Sequence, residues 1–188
     1  MLNDKYLPVW HFSEKHSLNI TAPQADVMAA VLAYRPDSDA FFRGAIALRE
    51  LPIRLIDRIQ RRATSPRKAF NLDNFTLLEQ ENNQQLAFGL AGKFWQPDYG
   101  QVTVMDTEDF QTFNQPGAAK LVLSYHLEKQ DENHTRLTTE TRVFCLDKQA
   151  QQKFAPYWYL IRPVSGLIRL RMLRSVSKIA TEKRFNAI

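Results

Sequence analysis

The middle of the chain alternates apolar and polar residues with a period of two. Every second residue between 121 and 127 is Leu or Tyr, and alternate positions from 137 to 145 hold Leu, Thr, Thr, Val and Cys. The polar segment 131–133 separates the two runs. This period is typical of half-buried strands, so the pattern predicts two strands joined by a turn. Strands are also predicted over 10–20 and 75–81.

The predicted strand over 85–95 is rich in small residues. Ala87, Gly89, Ala91 and Gly92 occupy it, and glycine inside a strand indicates strong curvature or close packing. Residues 96–116 show no clear period, and only a short strand near 110–113 is predicted there.

The longest helical pattern covers residues 147–183, with Asp147 as a good N-cap. Proline inside a helix removes a backbone hydrogen bond, so a kink or break is predicted at Pro163. Residues at spacings of three, four and seven place one stripe on this helix. The stripe is Phe154, Trp158, Ile161, Ser165, Ile168, Met172 and Ile179.

Two shorter helices are predicted after the first strand. One opens at Thr21 and ends near Arg35, and the other covers residues 41–63. The predicted order is therefore one strand, two helices, a meander of about five strands and a long helix. This order is typical of an α+β protein, and 188 residues suit a single domain spanning 1–188.

The net charge is +5, and basic residues concentrate in two stretches, 43–68 and 162–184. Both stretches also carry apolar residues at helical spacing, so solvated faces of core-packing helices are the favoured interpretation. Aromatic residues are not interleaved with the basic ones as a stacking platform, which argues against nucleic-acid binding.

The start of the chain lacks a basic segment followed by an apolar core, so no export signal is predicted and a cytoplasmic location is expected. The only cysteine, Cys145, excludes an intrachain disulfide and is expected to be a buried structural thiol. No phosphate loop, nucleophile elbow or dinucleotide fingerprint occurs, and no histidines have the spacing of metal ligands. We expect no cofactor, no metal and no catalytic motif.

Three segments resemble the START-like superfamily, also called SRPBCC or Bet v 1-like, and specifically a bacterial subgroup without an assigned reaction. They are Gly92-Lys93-Phe94-Trp95, Leu137-Thr138-Thr139-Glu140-Thr141-Arg142-Val143, and Tyr157-Trp158-Tyr159-Leu160-Ile161-Arg162-Pro163-Val164-Ser165-Gly166-Leu167-Ile168-Arg169. The resemblance implies a helix-grip fold, in which a curved antiparallel sheet wraps around the long C-terminal helix. It also implies an apolar cavity between the sheet and that helix.

The resemblance and the apolar stripe together lead to a binding hypothesis. The ligand would be a hydrophobic or amphipathic small molecule, such as a lipid, a sterol-like compound or an aromatic, polyketide-like compound. If the apolar face of each strand points inward, one set of residues lines the cavity; a one-residue register error would exchange it for its neighbours. The predicted ligand-binding residues are Phe88, Leu90, Leu123, Tyr125, Thr139, Thr141, Trp158 and Ile161.

Two other functions stay open. One is an enzyme of the cyclase, aromatase or hydratase type, which would use the hydroxyls of Tyr125, Thr139, Thr141 and Tyr157. The other is a module that contacts a membrane or an acidic protein through the basic helix 53–63. Glu140 and Arg142 share one strand face and could act as an acid and an electrophile. A cross-strand surface ion-pair ladder, which arginines of the long helix could extend, is the favoured interpretation.

Overall fold

The computed structural model of the protein describes residues 1–35, 75–96 and 100–185. The second predicted helix at 41–63, including the basic segment 53–63, lies outside the described residues. The helices are α1 (Leu2–Tyr6), α2 (Gln24–Ala33), α3 (Thr107–Thr112) and α4 (Lys148–Phe185). The strands are β1 (Phe12–Ile20), β2 (Thr76–Glu81), β3 (Gln85–Gly92), β4 (Gln101–Val102), β5 (Ala119–Lys129) and β6 (Thr135–Cys145).

The strands form one antiparallel sheet in the order β1-β6-β5-β3-β2, with the two-residue β4 paired to β3. The predicted strands over 10–20, 75–81, 85–95, 121–127 and 137–145 all correspond to observed strands, with small shifts at their ends. In this strand order, the first strand, β1, pairs with the last strand, β6. Thr139 of β6 lies opposite His16 of β1 on one side and Tyr125 of β5 on the other.

We call the sheet face that α2 and α4 cover the inner face. Leu123, Tyr125 and Leu127 of β5 are buried there with Leu137 of β6. The strand register is the predicted one, because the alternation of β5 and β6 buries the Leu and Tyr positions on this side. These side chains form an apolar cluster with four residues of α4, namely Met172, Leu173, Val176 and Ala180.

The opposite sheet face, called the outer face, also carries an apolar cluster, which the sequence patterns do not predict. Leu2 and Tyr6 of α1 and Phe110 of α3 pack there against Ala87 and Val122 of the sheet. The small residues of β3 are therefore a packing requirement, since two short helices lie directly on them.

Gly89 provides a test of this packing. A Cβ at Gly89 would lie 2.7 Å from Cδ2 of Phe110 and 2.9 Å from Cδ2 of Leu78, and both side chains are buried. Overpacking in a closed interior typically costs about 1–3 kcal/mol. We expect Gly89→Ala to lower the free energy of unfolding by that amount in a urea titration. An unchanged midpoint would show that α3 does not hold Phe110 against β3.

The prediction of a strand near 110–113 is wrong, because residues 110–112 belong to α3 and residue 113 follows it. Asp106 caps α3, its Oδ1 accepting a hydrogen bond from the backbone N–H of Asp109 at 2.9 Å. Oδ2 of Asp109 accepts from the backbone N–H of Met105 at 3.1 Å. Two carboxylates thus satisfy donors at the start of this helix, and they override the weak β-type pattern.

The long C-terminal helix is confirmed, and Asp147 caps it by accepting a hydrogen bond from the backbone N–H of Ala150 at 2.7 Å. The helix continues through both Pro156 and Pro163, so the chain does not break at Pro163. Both prolines are exposed. Their seven-residue spacing places them on one side of the helix, where the missing hydrogen bonds face water. No helix in the described part of the chain combines the length and the apolar character needed to cross a bilayer.

Glu140 and Arg142 do form an ion pair, but it is buried under α1, on the sheet face opposite to α4. Nε of Arg142 donates to Oε1 of Glu140 at 2.7 Å, and Nη1 donates to Oδ1 of Asp4 at 2.8 Å. The guanidinium carbon lies 3.9 Å from the ring centroid of Trp10. Exposure is only 8% for Glu140 and 5% for Arg142, so the predicted surface location is wrong.

Cys145 is buried in the apolar cluster at the start of α4. Burial, with a smaller contribution from Asp147, raises the pKa of its thiol to about 12. At pH 8 the thiolate fraction is then on the order of one in ten thousand. We expect almost no reaction with Ellman's reagent in the folded protein and one equivalent in guanidinium chloride. Rapid labelling of the native protein would contradict this burial.

Candidate functional site

The buried side chains of α4 form two groups with a gap between them. Ala150, Phe154 and Trp158 pack in an apolar cluster with Phe12 of β1, which we call the N-terminal cluster. The group from Met172 onward packs against α2 and the other end of the sheet, and we call this the C-terminal cluster. At 1.5 Å per residue, Trp158 and Met172 are about 21 Å apart along the helix.

The helix residues inside this gap are packed less tightly. Ile161, Ser165, Gly166, Ile168 and Arg169 are all half-buried, whereas both flanking groups contain fully buried side chains. The helix therefore makes its fully buried apolar contacts at two places, and its middle turns cover a different kind of surface.

That surface is polar. Glu14 and His16 of β1 lie directly opposite Thr141 and Thr139 of β6 in the strand register. All four side chains share the inner face, because residues two apart in a strand point the same way. A Cβ built on Gly166 would lie 3.0 Å from Oε1 of Glu14 and 3.6 Å from the His16 ring. The strand side chains thus reach the α4 backbone.

Arg169 completes this group from the helix side. Its Nη1 donates to Oγ1 of Thr139 at 2.9 Å, and its Nη2 donates to Oγ1 of Thr141. Its Nε is buried and has no hydrogen-bond partner among the described residues. Burial lowers the pKa of Arg169, and the nearby Tyr125 and Glu14 partly oppose that shift. We call Glu14, His16, Thr139, Thr141 and Arg169 the polar cluster.

Glu14 is the second member with an unused hydrogen-bonding atom. Its Oε1 lies 3.0 Å from Nε2 of His16, while its Oε2 is buried without a partner in the described ranges of the chain. Glu14 is only 8% exposed. An unsatisfied buried polar group costs about 1–3 kcal/mol, and native structures contain few of them. Two in one cluster mark this place as unusual.

Tyr125 lies at the edge of the polar cluster, beside the C-terminal cluster. Its hydroxyl donates to Sδ of Met172 at 3.3 Å, and its ring meets Phe88 edge-on with centroids 6.4 Å apart. Burial raises the pKa of Tyr125, so its phenol stays protonated. Leu123, opposite Thr141 in the register, continues this apolar border.

The structure places the predicted ligand-binding residues in three environments. Thr139 and Thr141 belong to the polar cluster, and Leu123, Tyr125 and Phe88 border it. Ile161 lies in the gap of α4. Leu90 and Trp158 are packed in the N-terminal cluster, where Trp158 contacts Phe12 and Phe154 with centroids 5.8 and 5.9 Å away. A role of these residues as ligand contacts stays a prediction.

Three members of the polar cluster were not predicted. The expectation that the basic residues of 162–184 lie on solvated faces is wrong for Arg169, whose guanidinium is hydrogen-bonded inside. A signal was present, because Arg169 follows Ser165 by four residues and precedes Met172 by three. Glu14 and His16 share their strand face with the inward-pointing Leu18 and Ile20.

The described residues also form a groove of about 280 Å³ on the outer face. Its lining is mostly polar and includes Ser17, Ser124, His126 and Thr138. This groove lies on the opposite side of the sheet from the inner face, where the ligand cavity is predicted.

The element order, the antiparallel sheet and the long helix packed across it define a helix-grip fold. No family model matches the chain, and no curated protein matches it. Among solved structures, CalU16 from Micromonospora echinospora is similar, with 15% identity and a TM-score of 0.31 over 90% of this chain and 84% of that one.

The Zhui aromatase/cyclase from Streptomyces sp. R1128 gives 13% identity and a TM-score of 0.31, over 92% of this chain and 94% of that one. TTHA0849 from Thermus thermophilus gives 9% identity and a TM-score of 0.29, over 94% of this chain and 99% of that one. Likenesses this weak carry no argument about function.

Proposed function

We propose that the protein binds a hydrophobic or amphipathic small molecule between the inner face and the middle of α4. The observation that supports this is the polar cluster with its two unused hydrogen-bonding atoms, on Glu14 and Arg169. Pockets for such ligands are mostly apolar, with a few convergent polar groups that fix orientation. Phe88, Leu123 and Ile161 would supply the apolar wall.

The energetics favour a bound molecule over an empty site. A polar end that pairs with Glu14 or Arg169 removes a desolvation cost that the protein otherwise carries. An apolar body gains about 25 cal/mol for each Å² of apolar surface removed from water. A ligand with both parts therefore fits this site better than a wholly apolar one.

The fluorescent probe N-phenyl-1-naphthylamine tests this proposal, since its emission rises in an apolar site. We expect saturable binding to the wild-type protein. Ile161→Trp places a larger side chain in the middle of α4, where the ligand is proposed to bind, and should weaken binding at least fivefold. Leu160→Trp is the matched control, because Leu160 is 62% exposed and its substitution leaves the site open. Folded wild-type protein that shows no saturable signal, or equal binding by both variants, would reject the site.

An enzyme of the cyclase, aromatase or hydratase type is the second candidate, and the hydrogen bond between Glu14 and His16 favours it. A carboxylate that orients a histidine beside a cationic donor is an arrangement suited to general acid–base catalysis. Of the four candidate hydroxyls, Tyr125, Thr139 and Thr141 gather here, while Tyr157 packs in the N-terminal cluster.

An activated β-polyketone thioester tests this reaction. His16→Gln should slow cyclisation at least 100-fold with unchanged probe binding, and equal rates would reject the candidate.

The third candidate function is contact with a membrane. Besides the basic segment 53–63, the exposed side of α4 could make this contact. The α4 side chains Tyr159, Leu160 and Leu167 are more than half exposed, and Arg162 and Arg174 are exposed on the same helix. Apolar residues near cations suit an anionic bilayer surface. We expect vesicles with about 30% phosphatidylserine to co-sediment the protein, and Leu160→Ser with Leu167→Ser to abolish this. Equal pelleting with neutral vesicles would reject the electrostatic part.

A further inference from the structure

We infer that the ligand carries a carboxylate and that Arg169 holds it. This inference rests on the proposed binding function and deepens it, because it assigns the chemical class of the ligand's polar end. Three observations support it: the charges around Arg169, the position of its unpartnered Nε on the guanidinium, and the number of cations at the site.

The charge of Arg169 has no direct counter-charge in the described part of the chain. Its two Nη atoms donate to the neutral hydroxyls of Thr139 and Thr141. Glu14 attracts Arg169 from beyond ion-pair distance, and its Oε1 lies 3.0 Å from Nε2 of His16. No carboxylate among the described residues lies within ion-pair distance of the guanidinium. Buried charges are normally paired, so within the described part of the chain this cation offers a place for an anion from a ligand.

The free Nε of Arg169 suits a carboxylate. A guanidinium binds a carboxylate most strongly through two parallel N–H groups, and one such edge contains Nε. Nε of Arg169 is the buried atom without a partner in the described segments. Thr139 and Thr141 accept hydrogen bonds from Arg169, so each hydroxyl keeps its own proton to donate. The helix and one strand thus present several donors to one small space, with the acceptor Glu14 beside them.

A single guanidinium suits a monoanion. A phosphate monoester carries close to two negative charges at neutral pH, and the polar cluster offers one arginine together with a histidine already engaged by Glu14. An alcohol or ketone would accept a hydrogen bond but leave the positive charge unpaired. Carboxylate is therefore favoured over both.

Displacement of N-phenyl-1-naphthylamine by dodecanoate, 1-dodecanol and dodecyl phosphate, three ligands of equal chain length, tests this inference. Dodecanoate should displace the probe with a Kd at least tenfold below that of 1-dodecanol, since a hydrogen bond to a charged group is typically worth such a factor. Arg169→Gln should remove this preference. Arg174→Gln, at an exposed arginine of the same helix, should keep it.

Equal affinities for dodecanoate and 1-dodecanol would overturn the inference and leave the proposed function standing, because the probe itself still binds. Tighter binding of dodecyl phosphate than of dodecanoate would overturn the assignment of a carboxylate. If the probe does not bind to folded wild-type protein, the proposed function fails first.

A second variant protects the test against misfolding of Arg169→Gln. Thr139→Val with Thr141→Val keeps the arginine and removes the hydroxyls that orient it. We expect this pair to weaken dodecanoate binding at least fivefold more than 1-dodecanol binding, because only the carboxylate depends on how the charge of Arg169 is oriented. An unchanged preference in this variant would show that the threonines do not position Arg169.

Discussion

Replacing Arg142 with methionine is expected to lower the free energy of unfolding by about 3–5 kcal/mol, the usual effect of removing one partner of a buried ion pair. Without Arg142, the carboxylate of Glu140 stays buried at 8% exposure with its charge unpaired. The variant also loses the hydrogen bond to Asp4 and the stacking contact with Trp10, so α1 and the residues after it lose their anchor on the outer face.

Urea denaturation with circular dichroism measures this effect. Arg136→Met is the matched control, since Arg136 points to the same face of β6 but is exposed, and its replacement should change stability by less than about 0.5 kcal/mol. The double variant Glu140→Leu with Arg142→Met should recover much of the loss, because no unpaired charge remains. A loss equal to that of the control would show that the pair is solvated.

Replacing Phe154 with alanine is expected to cost about 3–5 kcal/mol, as large-to-small substitutions of buried aromatic residues do. Phe154 is 1% exposed and contacts four aromatic rings with centroids within 6 Å. Its removal leaves a cavity where α4 begins to pack on the sheet. For a domain of this size the melting temperature should fall by about 10 °C.

Tyr159→Ala is the control for this substitution. Tyr159 is an aromatic residue of the same helix, but it is 66% exposed, so its removal should shift the melting temperature by less than about 2 °C. Similar shifts for the two variants would mean that the N-terminal cluster does not fix α4 to the sheet.

Much of the fold was predictable because its signals are local. In β5 and β6, one strand face is buried under α4, and burial of one face produces the period of two that reveals a strand. Asp147 and the apolar spacing that follows it likewise predict α4 from the chain alone. The same patterns predict which side chains of β5 point toward α4, since only one of the two strand orientations buries Leu123 and Leu127.

The outer face was not predictable in the same way. The α1 helix has only five residues, too few to show a helical period, and its stability comes from packing on Val122 and Ala87. The α3 helix and the residue after it contain two aromatic residues, Phe110 and Phe113, that mimic a strand. Its acidic cap around Asp106 was the available signal.

The polar cluster escaped prediction for a different reason. An arginine in a basic helical segment looks like a solvated residue, and its burial depends on what the sheet places opposite it. Thr139 and Thr141 accept hydrogen bonds from Arg169 only because β6 passes under that turn of α4. Distant segments create this site, and no window of the sequence contains both sides of it.

The pairing of the first strand with the last also affects how the protein is made. Ile20 pairs with Thr135 and Phe12 with Val143, so a nascent chain on the ribosome carries β1 for roughly ten seconds before its sheet partner has been synthesised. During that time both edges of β1 are open to strands of neighbouring nascent chains. Expression yield should therefore respond to translation speed and to chaperones that shield the first twenty residues.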